Sequence, residues 1–258
     1  MKSNIAPFKM FGNLYFAGST KVSVHIIDTE EGLVMIDTGY PEMYEQIIDS
    51  IETLGFSPKD ICAIFHSHGH YDHYGCTREF KALSGAKTYI SKTDNDIVNG
   101  TYDLSWAKEL GRERIPAFDC DVLVEDGDVF TFGSTTLRCV NTPGHTDGVM
   151  SFFITLKDGE KEIVAAMHGG IGTNSMRGSF LREYGLPFDC RDRFREGLHR
   201  LALEKVDLVL GNHPEQNDTQ AKLAAVKEGK SILDETEWER FLIAAESYLD
   251  AVIASENQ

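Results

Sequence analysis

Four metal-binding side chains fall within six residues, His68-Gly69-His70-Tyr71-Asp72-His73, two residues after the apolar run Ile61–Phe65. Imidazole nitrogen and carboxylate oxygen are donors that suit Zn²⁺. His68 and His70 are separated by one residue, so in extended backbone both rings point the same way and can reach one ion. Asp72 and His73 follow in a turn and can face a second ion. A lone HxH would be a weak signal. Four donors delivered by a buried strand restrict the chain to folds that bring further ligands to that strand's end.

The distal ligands must come from other loops. His145 lies in Asn141-Thr142-Pro143-Gly144-His145-Thr146-Asp147-Gly148, between two expected strands. His213 lies in Gly211-Asn212-His213-Pro214, after the expected strand Val206–Leu210. Strand ends are where open α/β architectures place function. His66 precedes the cluster and reads as structural. His25 and His199 sit on an expected strand and helix and take no role.

Short apolar runs between turn residues give strands over Asn13–Ala17, Lys21–Asp28, Gly32–Asp37, Ile61–Phe65, Lys87–Ser91, Val122–Glu125, Val129–Phe132 and Thr135–Val140. Met150–Leu156 and Glu162–Met167 form a hairpin around Lys157-Asp158-Gly159-Glu160. Met43, Ile47, Ile48, Ile51 and Leu54 recur at helical spacing behind Pro41, which suits a first helical turn. Helices are also expected over Thr77–Leu83, Arg191–Leu203 and most of the chain after Thr219. Strands lead each half, with helices between and after them. That pattern gives an α/β fold of two packed sheets with helices outside. Gly169–Pro187 lacks periodicity and reads as a long loop, a place where function often resides. No linker or repeat divides the chain, so residues 1–258 are expected to form one domain.

The 258 residues carry a formal net charge of -16. An acidic surface repels nucleic acid and anionic membrane, so neither is an expected partner. No stretch approaches the roughly 20 apolar residues that span a bilayer. Met1–Phe11 lacks the apolar run of a signal peptide, which points to the cytoplasm. Five cysteines, an odd count without a CxxC pair, point away from a disulfide framework and read as small buried or surface thiols. Cys76 is noted only because it follows the histidine loop. Oligomeric state is not legible.

The segment His66-Ser67-His68-Gly69-His70-Tyr71-Asp72-His73 resembles the HxHxDH signature of the metallo-β-lactamase superfamily. Ile36-Asp37-Thr38-Gly39, the TPGHTDG segment and the GNHP segment occur in the matching order, so the resemblance runs from about Asn13 to the last helix. Within the superfamily the chain is most similar to the subclass B3 metallo-β-lactamases, by its SHGHYDH loop, the GAKTYIS strand, the GNHP segment and the terminal helix near Glu237-Trp238. The resemblance implies a four-layer αββα sandwich with two Zn²⁺ ions at one edge. Carried over by position, His68, His70 and His145 would hold the first zinc, and Asp72, His73 and His213 the second. Asp37 would accept a hydrogen bond from a ligand histidine and orient it. Many superfamily hydrolases, the glyoxalase II-like and lactonase-like members included, place a bridging Asp after the strand corresponding to Glu162–Met167. Subclass B1 enzymes place a Cys there. This chain has Met167-His168-Gly169-Gly170, with neither, which agrees with the B3-like pattern.

The implied activity is zinc-dependent hydrolysis of a small molecule. Zinc-bound hydroxide would open a cyclic amide or ester, with β-lactams as the family-implied substrate. Asp72 would orient that hydroxide and relay its proton. A cytoplasmic lactone or thioester hydrolase is the alternative. A di-iron oxidoreductase, a nuclease and a non-catalytic metal module rank below it. Substrate contacts are expected from Phe180 and Tyr184, and His168 reads either as a substrate or metal contact or as a hydrogen-bonded structural residue; Met176, Arg177 and Arg182 are further members of the Gly169–Pro187 loop.

Overall fold

The computed structural model of the protein describes residues 5–256. The outermost residues of the expected 1–258 domain, and the first four of the segment read for a leader, lie outside the described residues. Among the described residues, twelve strands form two sheets. They are β1 (Phe8–Phe11), β2 (Leu14–Phe16), β3 (His25–Thr29), β4 (Gly32–Ile36), β5 (Ile61–Phe65), β6 (Lys87–Ser91), β7 (Val122–Val124), β8 (Val129–Phe132), β9 (Thr135–Asn141), β10 (Met150–Asp158), β11 (Lys161–Met167) and β12 (Leu208–Leu210). The helices are α1 (Tyr44–Thr53), α2 (Thr77–Ser84), α3 (Lys92–Val98), α4 (Gly178–Tyr184), α5 (Cys190–Leu201), α6 (Thr219–Lys227) and α7 (Glu237–Glu256).

The first sheet runs β1-β2-β3-β4-β5-β6-β7 and the second β12-β11-β10-β9-β8. Strands β4 to β7 pair in parallel, so the loops after β5 and β6 leave from one end of the sheet. Side-chain alternation makes the layers. On β10, Phe152, Ile154 and Leu156 face the first sheet, while Phe153 faces outward. On β11, Ile163, Ala165 and Met167 face inward and Ala166 outward. Helices α4, α5 and α7 cover that outer face through Leu181, Phe194, Leu198, Trp238 and Leu242. Helices α1 and α2 cover the far face of the first sheet through Ile47, Ile51 and Phe80, packed on Ile26, Met35 and Ile64. The order is helix, sheet, sheet, helix: the expected αββα sandwich.

The two sheets meet at Phe65, the last residue of β5. Its ring stacks on Tyr89 at 4.2 Å and makes edge contacts with Phe130 and Phe152 of the other sheet at 5.2 and 6.1 Å. The histidine loop starts at the next residue, so this aromatic packing forms the floor beneath it.

Several elements differ from expectation. Strand β1 and helix α3 had no clear periodicity, one being four residues and the other seven. The first half of Lys21–Asp28 is loop, and the strand begins at His25. Gly169–Pro187 is not a structureless loop. It holds a short 3-10 turn at Asn174–Met176 and then α4, whose Phe180 and Leu181 turn inward. Seven residues ending at Gly185 in the left-handed conformation are too few for a helical period to be read from sequence.

Candidate metal centre

The loop after β5 is fixed before its donors are placed. His66 bridges the carbonyl oxygen of Tyr89 (2.9 Å) and Thr77 Oγ1 (2.7 Å), tying the loop to β6 and α2. The Ser67 carbonyl accepts from Met150 N–H at 2.8 Å, which joins the loop to the second sheet. Asp37 stands at φ 58°, a left-handed conformation that Asp tolerates better than most residues. Its Oδ1 accepts from Ser67 N–H, and its Oδ2 from Ser67 Oγ–H, each at 2.7 Å. Oδ2 also accepts from His73 Nδ1 at 2.8 Å. Asp37 is 1% exposed, so its charge is answered by these donors and not by water.

The structure brings the six expected ligand side chains into two adjacent groups. One nitrogen from each of His68, His70 and His145 lies within 4.8 Å of the others. Asp72, His73 and His213 form a second group within the same limit. Asp72 Oδ2 is 3.6 Å from Nε2 of both His73 and His213. The rings of His68 and His73, one from each group, are 4.2 Å apart.

Hydrogen bonds set the tautomers. Nδ1 of His68 meets Gly169 O at 2.8 Å, that of His145 meets Gly172 O at 2.6 Å, and that of His213 meets Lys21 O at 2.7 Å. A carbonyl oxygen only accepts, so each Nδ1 carries the proton and each Nε2 keeps a lone pair. Asp37 does the same to His73. The lone pair of His68 Nε2 is buried and has no hydrogen-bond partner within the protein. Burial, followed by the crowding of neighbouring imidazoles, holds His68 and His70 well below the ordinary histidine range, and burial lowers His145 to about 4. Burial opposes the charge on Asp72, yet His73 and His213 outweigh it and keep the carboxyl below its usual range. His68, His70 and His145, held neutral with their lone pairs turned inward, stand beside an ionised Asp72, and together they offer the donors that a divalent cation requires. The residues therefore fit a metal pair.

The stretch after β11 contributes backbone instead of a ligand side chain. Gly169 O accepts from both His68 Nδ1 and Asn212 Nδ2, the latter at 2.7 Å. Gly170 and Gly172 lie flat against the His145 ring, where an added Cβ would come within 2.8 and 3.0 Å of it. His168, a candidate substrate contact, is buried. That ring is 0% exposed, accepts from Gly170 N–H at 3.1 Å and packs on Phe194. Met176 is likewise fully buried in the outer core.

A cavity of 530 Å³ opens beside His70 and His145. Ile97, Leu104, Phe180, Leu181 and Leu186 supply its apolar wall, and Lys92, Asp147 and Arg193 its charged rim. Phe180 lines it. Tyr184 stands behind Phe180 with ring centroids at 4.5 Å, and its hydroxyl bonds Glu109, so it supports the wall without forming it. Arg177 and Arg182 are exposed and do not line the cavity.

Two residues at the site had not been anticipated. Trp106, at φ 67°, packs between His70 (5.6 Å) and Phe180 (4.8 Å); nothing in its sequence surroundings signals this. Asp94, on α3, is fully buried against both histidine loops. Burial pushes its carboxyl up to about 6 despite the donors around it. A signal for it existed: Ser91-Lys92-Thr93-Asp94 is a helix-start pattern directly after β6.

Comparison with known proteins adds to this geometry. Residues 17–158 match the family model of the metallo-beta-lactamase superfamily. BJP-1, a subclass B3 metallo-beta-lactamase of Bradyrhizobium japonicum, is 29% identical, with a TM-score of 0.88 over 99% of this chain and 96% of that one. FEZ-1 from Legionella gormanii shares the fold, with a TM-score of 0.90 at 24% identity over 100% of this chain and 99% of that one. A hydroxyacylglutathione hydrolase of Maricaulis maris is 32% identical over 110 residues, 43% of this chain and 34% of that one. The chain spans 34–60% of the length of the curated relatives it matches.

Proposed function

The chain belongs to the metallo-beta-lactamase superfamily, and from that premise we propose that it is a di-zinc hydrolase that opens a cyclic amide or ester, β-lactam-like in its ring. We assign His68, His70 and His145 to one Zn²⁺, and Asp72, His73 and His213 to the other. The observation that carries this reading is the tautomer pattern. Four histidines spend Nδ1 on a protein acceptor and keep Nε2 for the centre of the site. The whole chain, 1–258, is read as one catalytic domain.

The two ions would supply Lewis acidity for a carbonyl oxygen and for an attacking water. The protein does the rest. Asp72, held ionised between His73 and His213, orients the water and takes its proton at a carboxylate oxygen. Asp37 fixes the ring of His73 and, through Ser67, the start of the loop. The cavity beside His70 and His145 receives the substituent of the substrate, with Phe180 and Leu181 against its apolar part.

The glycine backbone in place of a carboxylate after β11 supports the B3-like substrate over a lactone or thioester. The likeness to hydroxyacylglutathione hydrolases keeps thioester hydrolysis as the second reading. Di-iron redox chemistry and nuclease activity rank lower, since the bridging carboxylate is missing and the charge is -16. The deciding experiment is a panel of a chromogenic cephalosporin, an acyl lactone and an acylglutathione thioester, given to zinc-loaded protein with His68→Ala as the blank. Cephalosporin opening at a rate the blank lacks is expected. No cephalosporin turnover at high enzyme concentration removes the β-lactam reading, and turnover of the thioester alone installs the second.

A further inference from the structure

Asp94 is 0% exposed and makes no ion pair among the described residues. Its carboxylate accepts three hydrogen bonds. Oδ2 takes Gly69 N–H and Thr146 Oγ1–H, both at 2.7 Å, and Oδ1 takes Gly148 N–H at 2.9 Å. Gly69 lies between His68 and His70. Thr146 and Gly148 immediately follow His145. One buried carboxylate therefore grips the chain at both loops that supply the three-histidine group, one from each sheet.

The surrounding sequence is fitted to this contact. Ser91 Oγ accepts from Asp94 N–H at 3.2 Å and fixes the first turn of α3. A Cβ at Gly148 would come within 2.4 Å of Asp94 Oδ1 and 2.1 Å of Ser91 Oγ. One at Gly69 would stand 3.0 Å from Asp94 O and 3.1 Å from Ile97 Cβ. Glycine stands at both places, and at neither is φ positive. Close approach of α3, not backbone conformation, is what requires it.

We infer that Asp94 is a positioning residue for the three-histidine site, setting the distance between His68 and His70 on one loop and His145 on the other. The inference rests on the reading of that group as a metal site. Asp37 organises the other side, through His73, and Asp94 makes no bond to the loop bearing His213. Its influence should therefore be confined to one of two sites, which a generally structural residue would not show.

The test is Zn²⁺ titration in competition with a chromophoric chelator, on wild type and on Asp94→Asn. An amide turned either way sets its NH₂ against a donor: Gly148 N–H on one side, Gly69 N–H and Thr146 Oγ–H on the other. The expected result is one affinity weakened roughly 10–100-fold and the other at its wild-type value. In a His213→Ala background, where the three-histidine site is isolated, the whole loss should appear at the remaining site, and the visible spectrum of bound Co²⁺ should change there. Wild type binding fewer than two Zn²⁺ overturns the reading of the metal centre. Wild type binding two, with Asp94→Asn binding both as tightly or losing both together, overturns the role of Asp94 alone. If Asp94→Asn does not fold, Thr146→Val, which removes one donor of the three, should show a smaller loss at the same site; an unchanged affinity overturns the inference.

Discussion

Asp37 shows how a single atom can decide which nitrogen of a histidine is left free. Its Oδ2 accepts from His73 Nδ1, so Nε2 faces Asp72 with a free lone pair. In Asp37→Asn the backbone is undisturbed, because Asn also tolerates φ 58°. The oxygen facing His73 can become an NH₂, which drives the imidazole to its other tautomer. Zn²⁺ affinity at the Asp72–His73–His213 group should fall roughly 10–100-fold, read by chelator competition. An unchanged affinity would separate Asp37 from the metal centre. His25 offers a different residue-scale test. Burial lowers it to about 4 from the ordinary 6.5, so the folded chain keeps it neutral. Its contribution is fully present above pH 6.5 and is lost as pH falls through 4, because unfolding then takes up a proton. Across that window it amounts to on the order of 3 kcal/mol. Denaturant melts of metal-free protein at pH 7.5 and 5 should show a smaller acid loss in His25→Leu than in wild type; equal losses would contradict the assignment.

At the scale of elements, β5 does two jobs with one sequence. Ala63 and Phe65 pack between the sheets while Ile61 and Ile64 face α1 and α2, which the extra residue Cys62 in the β4–β5 register permits. Phe65 then sits under the histidine loop. Phe65→Ala should cost about 3–5 kcal/mol of unfolding free energy, checked by urea denaturation, with the loss shared between both sheets because the ring touches both. A cost below about 1 kcal/mol would mean that the site's floor lies elsewhere. The sequence made this strand legible because a five-residue apolar run between turns has few alternatives. It also pointed to the six side chains that the structure brings into two groups, since five histidines and an aspartate at strand ends stand out by type and place. It marked α3, too short for a period, only by its Ser91-to-Asp94 start pattern, and it gave no sign of Asp94's partners, two backbone amides and a threonine hydroxyl 25 to 54 residues away. It left His168 between a substrate contact and a structural role, because residue type alone does not tell a rim from a buried pocket. Only the packing of Phe194 and the Gly169–Gly170 turn decides that.

For the molecule as a whole, the proposed metal centre would contribute to the fold's stability. Each group of ligands takes residues from both halves: His68 and His70 with His145, Asp72 and His73 with His213. Binding to the folded chain alone stabilises it by about 2.7 kcal/mol for each site held at a hundredfold excess over its dissociation constant. Chelator-treated protein should therefore melt several degrees below the Zn²⁺-loaded form, and adding Zn²⁺ back should restore the difference. A melting temperature indifferent to chelator would argue that no metal spans the halves.

The Ser67 carbonyl bonds the amide of Met150 across the two sheets, and nothing covalent crosses the seam there. A slip along that seam would shift His145 and His213 against the other four side chains without unpairing any strand within either sheet. Activity is consequently a finer gauge of sheet alignment than circular dichroism. Under rising pressure or mild denaturant, turnover should fade while the far-ultraviolet spectrum still reads as native.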